Sequence, residues 1–164
     1  MMAPDLTQTM TPEEDYRFDV AGYLILRNVL TEAELRVCNR ALDEGGGPAG
    51  MLEWPAPLCD SFVQLGDHPL LAQYLDQLCW DEYRLDQPPH LIDETTCAYS
   101  LVGGNEPRNW SRAYQQRNHT RHCHGVLAIW ALTDADGEGE LVLVPASHRS
   151  DLETPADLVD GTDD

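Results

Sequence analysis

The sequence predicts an α+β chain, mainly β in its C-terminal half, with helices first and antiparallel strands after them. Three observations predict this. Thr31 and Glu34 have capping-box spacing ahead of Leu35, Cys38 and Leu42 at helical intervals. Leu70, Leu71, Tyr74, Leu75 and Leu78 form one apolar helical face. From Tyr83 onward the pattern changes to short β-branched and aromatic segments.

Taken in order, residues 1–15 read as a polar, frayed lead, and residues 16–82 as the helical part. Tyr23, Leu24, Ile25 and Leu26 follow Gly22 as a short apolar run suited to a buried strand. The capping box then opens a helix over Glu32–Glu44, which Gly45-Gly46-Gly47 ends. Gly45 through Pro57 is a Gly/Pro-rich loop, and Asp67 is expected to cap a further helix with Pro69 in its first turn. Residues 83–150 are expected to supply strands at Leu85–Gln87, Leu91–Ile92, Thr96–Val102, His122–Thr133 and Leu141–Pro145. Residues 151–164 form an acidic tail.

At 164 residues the chain suits a single domain with a modest core. The opening residues show no basic stretch followed by an apolar run, and no apolar run approaches the roughly 18 residues a membrane span needs. A soluble, cytoplasmic protein is expected. Cys38, Cys59, Cys79, Cys97 and Cys123 are odd in number and lack CxxC spacing, so reduced and mostly buried thiols are expected rather than a disulfide framework or zinc ribbon.

Acids outnumber bases 29 to 10, giving a net charge of -19, and every base is an arginine. Such a field disfavours nucleic acid and anionic membrane as partners. It also weakly disfavours a polyanionic substrate unless a local basic patch receives it. Arg108, Arg112, Arg117 and Arg121 form such a patch, able to take a carboxylate or phosphate or to pair with local acids.

The patch runs into His119-Thr120-Arg121-His122-Cys123-His124. If this segment is a strand, His122 and His124 at i and i+2 project from one face and form a candidate two-imidazole metal grip. His119 is placed to approach from the preceding turn, and Cys123 to enter the core. The competing reading makes the two histidines a polar, half-exposed face. His148 in Pro145-Ala146-Ser147-His148 is expected to be architectural, and Ile129 and Trp130 to be ordinary core. Asp134, Asp136, Glu138 and Glu140 lack an EF-hand's terminal glutamate and read as a solvated acidic hairpin.

Several segments together carry a resemblance. They are Phe18 with Gly22-Tyr23-Leu24-Ile25-Leu26, Thr31 to Leu35, Asp67-His68-Pro69, Leu101-Val102-Gly103-Gly104, Trp130-Ala131-Leu132-Thr133-Asp134, and Val144-Pro145-Ala146-Ser147-His148. Their order resembles the phytanoyl-CoA dioxygenase family of non-haem iron, 2-oxoglutarate-dependent oxygenases, over nearly the whole chain. The resemblance implies helices packed on a double-stranded β-helix, or jelly roll. It also implies Fe(II) and 2-oxoglutarate as cofactors and hydroxylation of a small organic substrate. In this chain His122 and His124 are then the expected iron ligands, and Arg112 and Arg121 the expected partners of the co-substrate carboxylates; no catalytic residue is assigned.

The chain departs from the family pattern twice. Typical members carry a His-x-Asp pair, whereas no histidine here is followed at two positions by Asp or Glu. The sequence also stops at Asp164, where strands bearing a distal histidine and a 2-oxoglutarate-binding arginine are expected to follow. An incomplete barrel is therefore expected, with open strand edges that favour self-association. Two alternatives follow: a catalytically silent or truncated jelly-roll binding module, and a cupin-like metal enzyme that does not use 2-oxoglutarate, with His119 or His148 as a third ligand.

Overall fold

The structure is a computed structural model that describes residues 9–45, 47, 49–79, 83–92, 114–134 and 143–150. The chain divides into two compact units, one formed by Leu26–Thr95 with Ala128–Glu140, the other by Met10–Ile25, Thr96–Leu127 and Leu141–Asp164.

The first unit begins with α2 (Glu32–Glu44), which α1 (Pro12–Ala21) of the second unit precedes in sequence. α2 starts where its capping box places it. The Thr31 hydroxyl accepts the Glu34 N–H at 3.3 Å, while the Thr31 N–H donates to the Glu34 carboxylate at 2.7 Å. These bonds, Thr31 first, hold the Glu34 carboxyl below its ordinary range. Glu32 and Glu34 in the first turn also complement the helix dipole. Within the predicted loop, Met51–Glu53 forms a 3₁₀ turn, and α3 (Leu58–Gly66) follows.

α4 (Pro69–Cys79) begins with proline at its first position, as expected, but its cap is a different residue. Asp67 is occupied as the C-cap of α3, where its N–H reaches the carbonyls of Val63 and Leu65. His68 takes the capping place instead: its Nδ1 accepts the Leu70 N–H at 3.2 Å, and its carbonyl accepts the Ala72 N–H at 3.0 Å.

Cys38, Ala41, Met51, Phe62 and Leu65 form the core of this unit, with Leu30, Leu42, Leu52, Trp54, Leu58, Leu91, Trp130 and Leu132 packed against it. Phe62 meets Trp54 edge-on, at 5.5 Å between centroids and 90° between planes. The segment Ala128–Thr133 keeps the alternation of a strand. Trp130 and Leu132 turn to the core, while Ala128, Ile129, Ala131 and Thr133 are exposed. Its fixed point is a side chain: the Asn39 amide donates to the Leu132 carbonyl at 2.9 Å and to the Leu35 carbonyl at 3.0 Å.

The second unit contains α1, the hairpin β1 (Tyr114–Arg117) and β2 (Thr120–Cys123), and a 3₁₀ turn over Ser147–Arg149. Part of the predicted lead is thus helix. Thr11 and Glu14 form a second capping box, Pro12 opens the helix, and Gly22 closes it in the left-handed conformation with its N–H on the Phe18 carbonyl. The Ala146 N–H donates to the Ala21 carbonyl at 2.8 Å and ties the 3₁₀ turn to the end of α1.

Among the described residues, fewer strands are paired than the periodicity predicts. Tyr23–Leu26, Leu85–Gln87 and Leu91–Ile92 have no ladder among the described residues, although neighbouring His90 makes an isolated antiparallel bridge to Ala49. Of His122–Thr133, only the first two residues belong to a strand. Apolar alternation reports which side chains are buried; strand pairing also needs a second backbone in register. Thr96–Val102 and the start of Leu141–Pro145 lie outside the described residues, so the jelly roll stays an expectation. No helix among the described residues is long and apolar enough to cross a membrane. Cys38 and Cys123 are buried, Cys59 and Cys79 are half-buried, and none forms a disulfide with another described residue.

Candidate functional site

The hairpin carries the histidines on a well-defined frame. Asn118 and His119 join its strands with φ of 49° and 63°, both left-handed, as a two-residue hairpin turn requires. Tyr114 lies opposite Cys123, Gln115 opposite His122, Gln116 opposite Arg121 and Arg117 opposite Thr120. Because residues directly opposite share a side of the pleat, the hairpin has two distinct faces. Tyr114 and Cys123 are buried on the face that also bears Arg121, and this face meets α1. Gln115 and His122 belong to the other face.

His122 is half-buried, His124 is exposed just beyond β2, and their rings lie 6.0 Å apart at 17°. The structure thus brings these two predicted ligands together. His119 sits exposed at the tip of the hairpin. No group of three or more His, Cys, Asp or Glu placed to hold a metal occurs among the described residues.

Of the arginine patch, Arg121 is committed to α1 by an ion pair with Asp15. This pairing holds the Arg121 guanidinium above its ordinary range against the opposing effect of its burial. Arg108 and Arg112 lie outside the described residues.

Sequence reasoning missed a polar hub around Asp19. Its carboxylate accepts hydrogen bonds from the Tyr114 hydroxyl and the Arg149 guanidinium. The Tyr114 ring meets Phe18 at 6.1 Å and His148 at 4.7 Å, and the Arg149 guanidinium lies 5.6 Å from its centroid. His148 Nε2 is 3.2 Å from the Asp19 carbonyl, which can only accept, so Nε2 carries the proton and donates. Nδ1 is then the bare nitrogen, buried with no hydrogen-bond partner among the described residues. The predicted architectural role of His148 fits these contacts.

Burial raises the Asp19 pKa, but the bonds from Tyr114 and Arg149 outweigh it and hold the carboxyl below its ordinary range. For Tyr114, burial first and the Asp19 bond second push the phenol up to about 12. His148 is lowered, chiefly by burial. The signs give two pH windows. Tyr114 favours its neutral form in the fold, so its contribution is complete below the free phenol's range near 10 and is lost as pH rises towards about 12. Asp19 and His148, both lowered, contribute above their unfolded values of 3.8 and 6.5 and lose that contribution as pH falls through the folded ones. We expect ultraviolet titration to show a phenol ionising at about 12 that disappears in Tyr114→Phe. If the substitution leaves the alkaline end of the titration unchanged, the hub is misassigned.

Comparison with protein-family models, curated proteins and solved structures gives no match.

Proposed function

We propose that this chain is a non-haem metal protein of the Fe(II)/2-oxoglutarate oxygenase type, with a small organic substrate. The observation that carries the proposal is the pair of imidazoles, His122 and His124, side by side at the end of β2. The sequence resemblance supports it, as does the suitability of neutral imidazole for iron.

When bound, iron and 2-oxoglutarate supply oxygen activation and an oxidant able to hydroxylate a C–H bond. The chain's own residues hold and orient. His122 and His124 offer ring nitrogens that must be deprotonated to bind, so affinity weakens in acid. Arg121 braces the hairpin against α1 through Asp15, and a co-substrate carboxylate would have to displace Asp15 to reach it. Arg112 is therefore the arginine on which co-substrate binding rests in this reading.

The deciding experiment is anaerobic calorimetry of Fe(II) with and without 2-oxoglutarate, on the native chain and on His122→Ala and His124→Ala. We expect stoichiometric binding, tightened by 2-oxoglutarate and abolished by either substitution. Binding indifferent to 2-oxoglutarate would favour a cupin-like metal enzyme. The engagement of Arg121 by Asp15 favours a second reading, a catalytically silent binding module. That reading predicts no iron binding by a folded sample.

A further inference from the structure

We infer that Gln115 completes the metal grip, its side-chain carbonyl oxygen serving as a third protein ligand beside His122 and His124. The inference rests on the metal reading above and adds to it a donor and a charge state.

The hairpin register makes the case. Gln115 lies directly opposite His122. Directly opposed residues in an antiparallel pair project to the same side, with Cβ atoms about 4.5–5.5 Å apart, within reach of a long side chain. His124 continues that side past the end of β2, its ring 6.0 Å from that of His122. Gln115 and His122 therefore share the face opposite the one that meets α1, and the His124 ring stacks beside that of His122. Three other polar side chains of the hairpin are turned to the opposite face. Cys123 and Tyr114 are buried on the α1 face, each at 8 % exposure, and Arg121 on that face is a cation bound to Asp15. The oxygen of an amide has two lone pairs and ligates metals as other neutral carbonyls do.

The donor type has a chemical consequence. Two imidazoles and an amide carry no charge, so a divalent ion held by them keeps its full double positive charge. The remaining positions should favour an anion, and a dicarboxylate such as 2-oxoglutarate supplies one in the way that the usual carboxylate ligand would have done from the protein. Such a set also favours ions that accept nitrogen donors, zinc and nickel among them.

Zn(II) tests this in the full chain, by chelator-competition titration of the native protein, Gln115→Thr and Gln115→Glu, with circular dichroism to check the fold. We expect Gln115→Thr to weaken Zn(II) by about ten-fold or more. Gln115→Glu should tighten it by about ten-fold, since a carboxylate restores the charge the amide lacks. In the native chain, the side-chain amide resonances of Gln115 should shift on Zn(II) addition, a readout independent of how the variants fold. Native binding with an unchanged affinity in a folded Gln115→Thr and unmoved Gln115 resonances would overturn the inference while sparing the histidine pair. No Zn(II) or Fe(II) binding by the folded native chain would overturn both.

Discussion

Phe62→Ala is expected to lower stability by about 3–5 kcal/mol, the range for removing a buried phenylalanine. Phe62 is 5 % exposed and touches the parts of the first unit that meet in its core. Its ring stands edge-on to Trp54, so truncation removes an aromatic pair as well as apolar area and leaves a cavity between α2 and α3. Against a typical total of about 5–15 kcal/mol, that loss is large. Val63, next in sequence, is 45 % exposed, and Val63→Ala is expected to change stability by no more than about 0.5 kcal/mol. Urea unfolding followed by tryptophan fluorescence compares the two variants. Equal losses at both positions would reject the face that α3 is assigned to bury.

Gly22→Ala is expected to cost about 2–4 kcal/mol, from two sources that can be separated. Gly22 has φ of 87°, where a Cβ costs about 1–2 kcal/mol by itself. That Cβ would also enter the His148 ring, 2.6 Å from Cγ, and the ring is packed against Tyr114, 4.7 Å between centroids. In a His148→Ala background the clash is gone and only the backbone cost remains. The two substitutions together should therefore cost less than their sum, a coupling that a double-mutant cycle in thermal unfolding reads directly. Strict additivity would place His148 away from the end of α1.

Much of the helical part was legible because helix starts are written locally. Thr31 with Glu34 placed α2, and Pro69 placed α4. Thr11, Pro12 and Glu14 carry the same signal for α1, but only Phe18 is buried along that helix, so its apolar pattern is too faint to extend the cap into a predicted element. α3 was hidden by a proline-rich approach, although Phe62 and Leu65 have helical spacing. The Asp67 cap failed because two helices compete for adjacent residues: aspartate closes one while a histidine ring opens the next.

At the site, the paired imidazoles followed from strand alternation, and so did the inward turn of Cys123. The position of Gln115 did not, because cross-strand register depends on where the turn falls, and neither Asn118 nor His119 is the glycine that usually marks such a turn. The hub at Asp19 was beyond local reading altogether, since no short-range pattern joins residues so distant in sequence.

That distance bears on how the protein comes to be folded. Asp19 receives Tyr114 from 95 positions downstream, and its carbonyl receives His148 from 129 positions downstream, while Asp15 and Arg121 are 106 apart. Between the first and later segments of this unit lies most of the chain that builds the other one. During synthesis, α1 therefore leaves the ribosome well before its partners exist, whereas α2 and α3 can pack as soon as they are made. The nascent chain should hold a formed helical core while Asp15 and Asp19 are still solvated, and the second unit should close only after Arg149 has emerged.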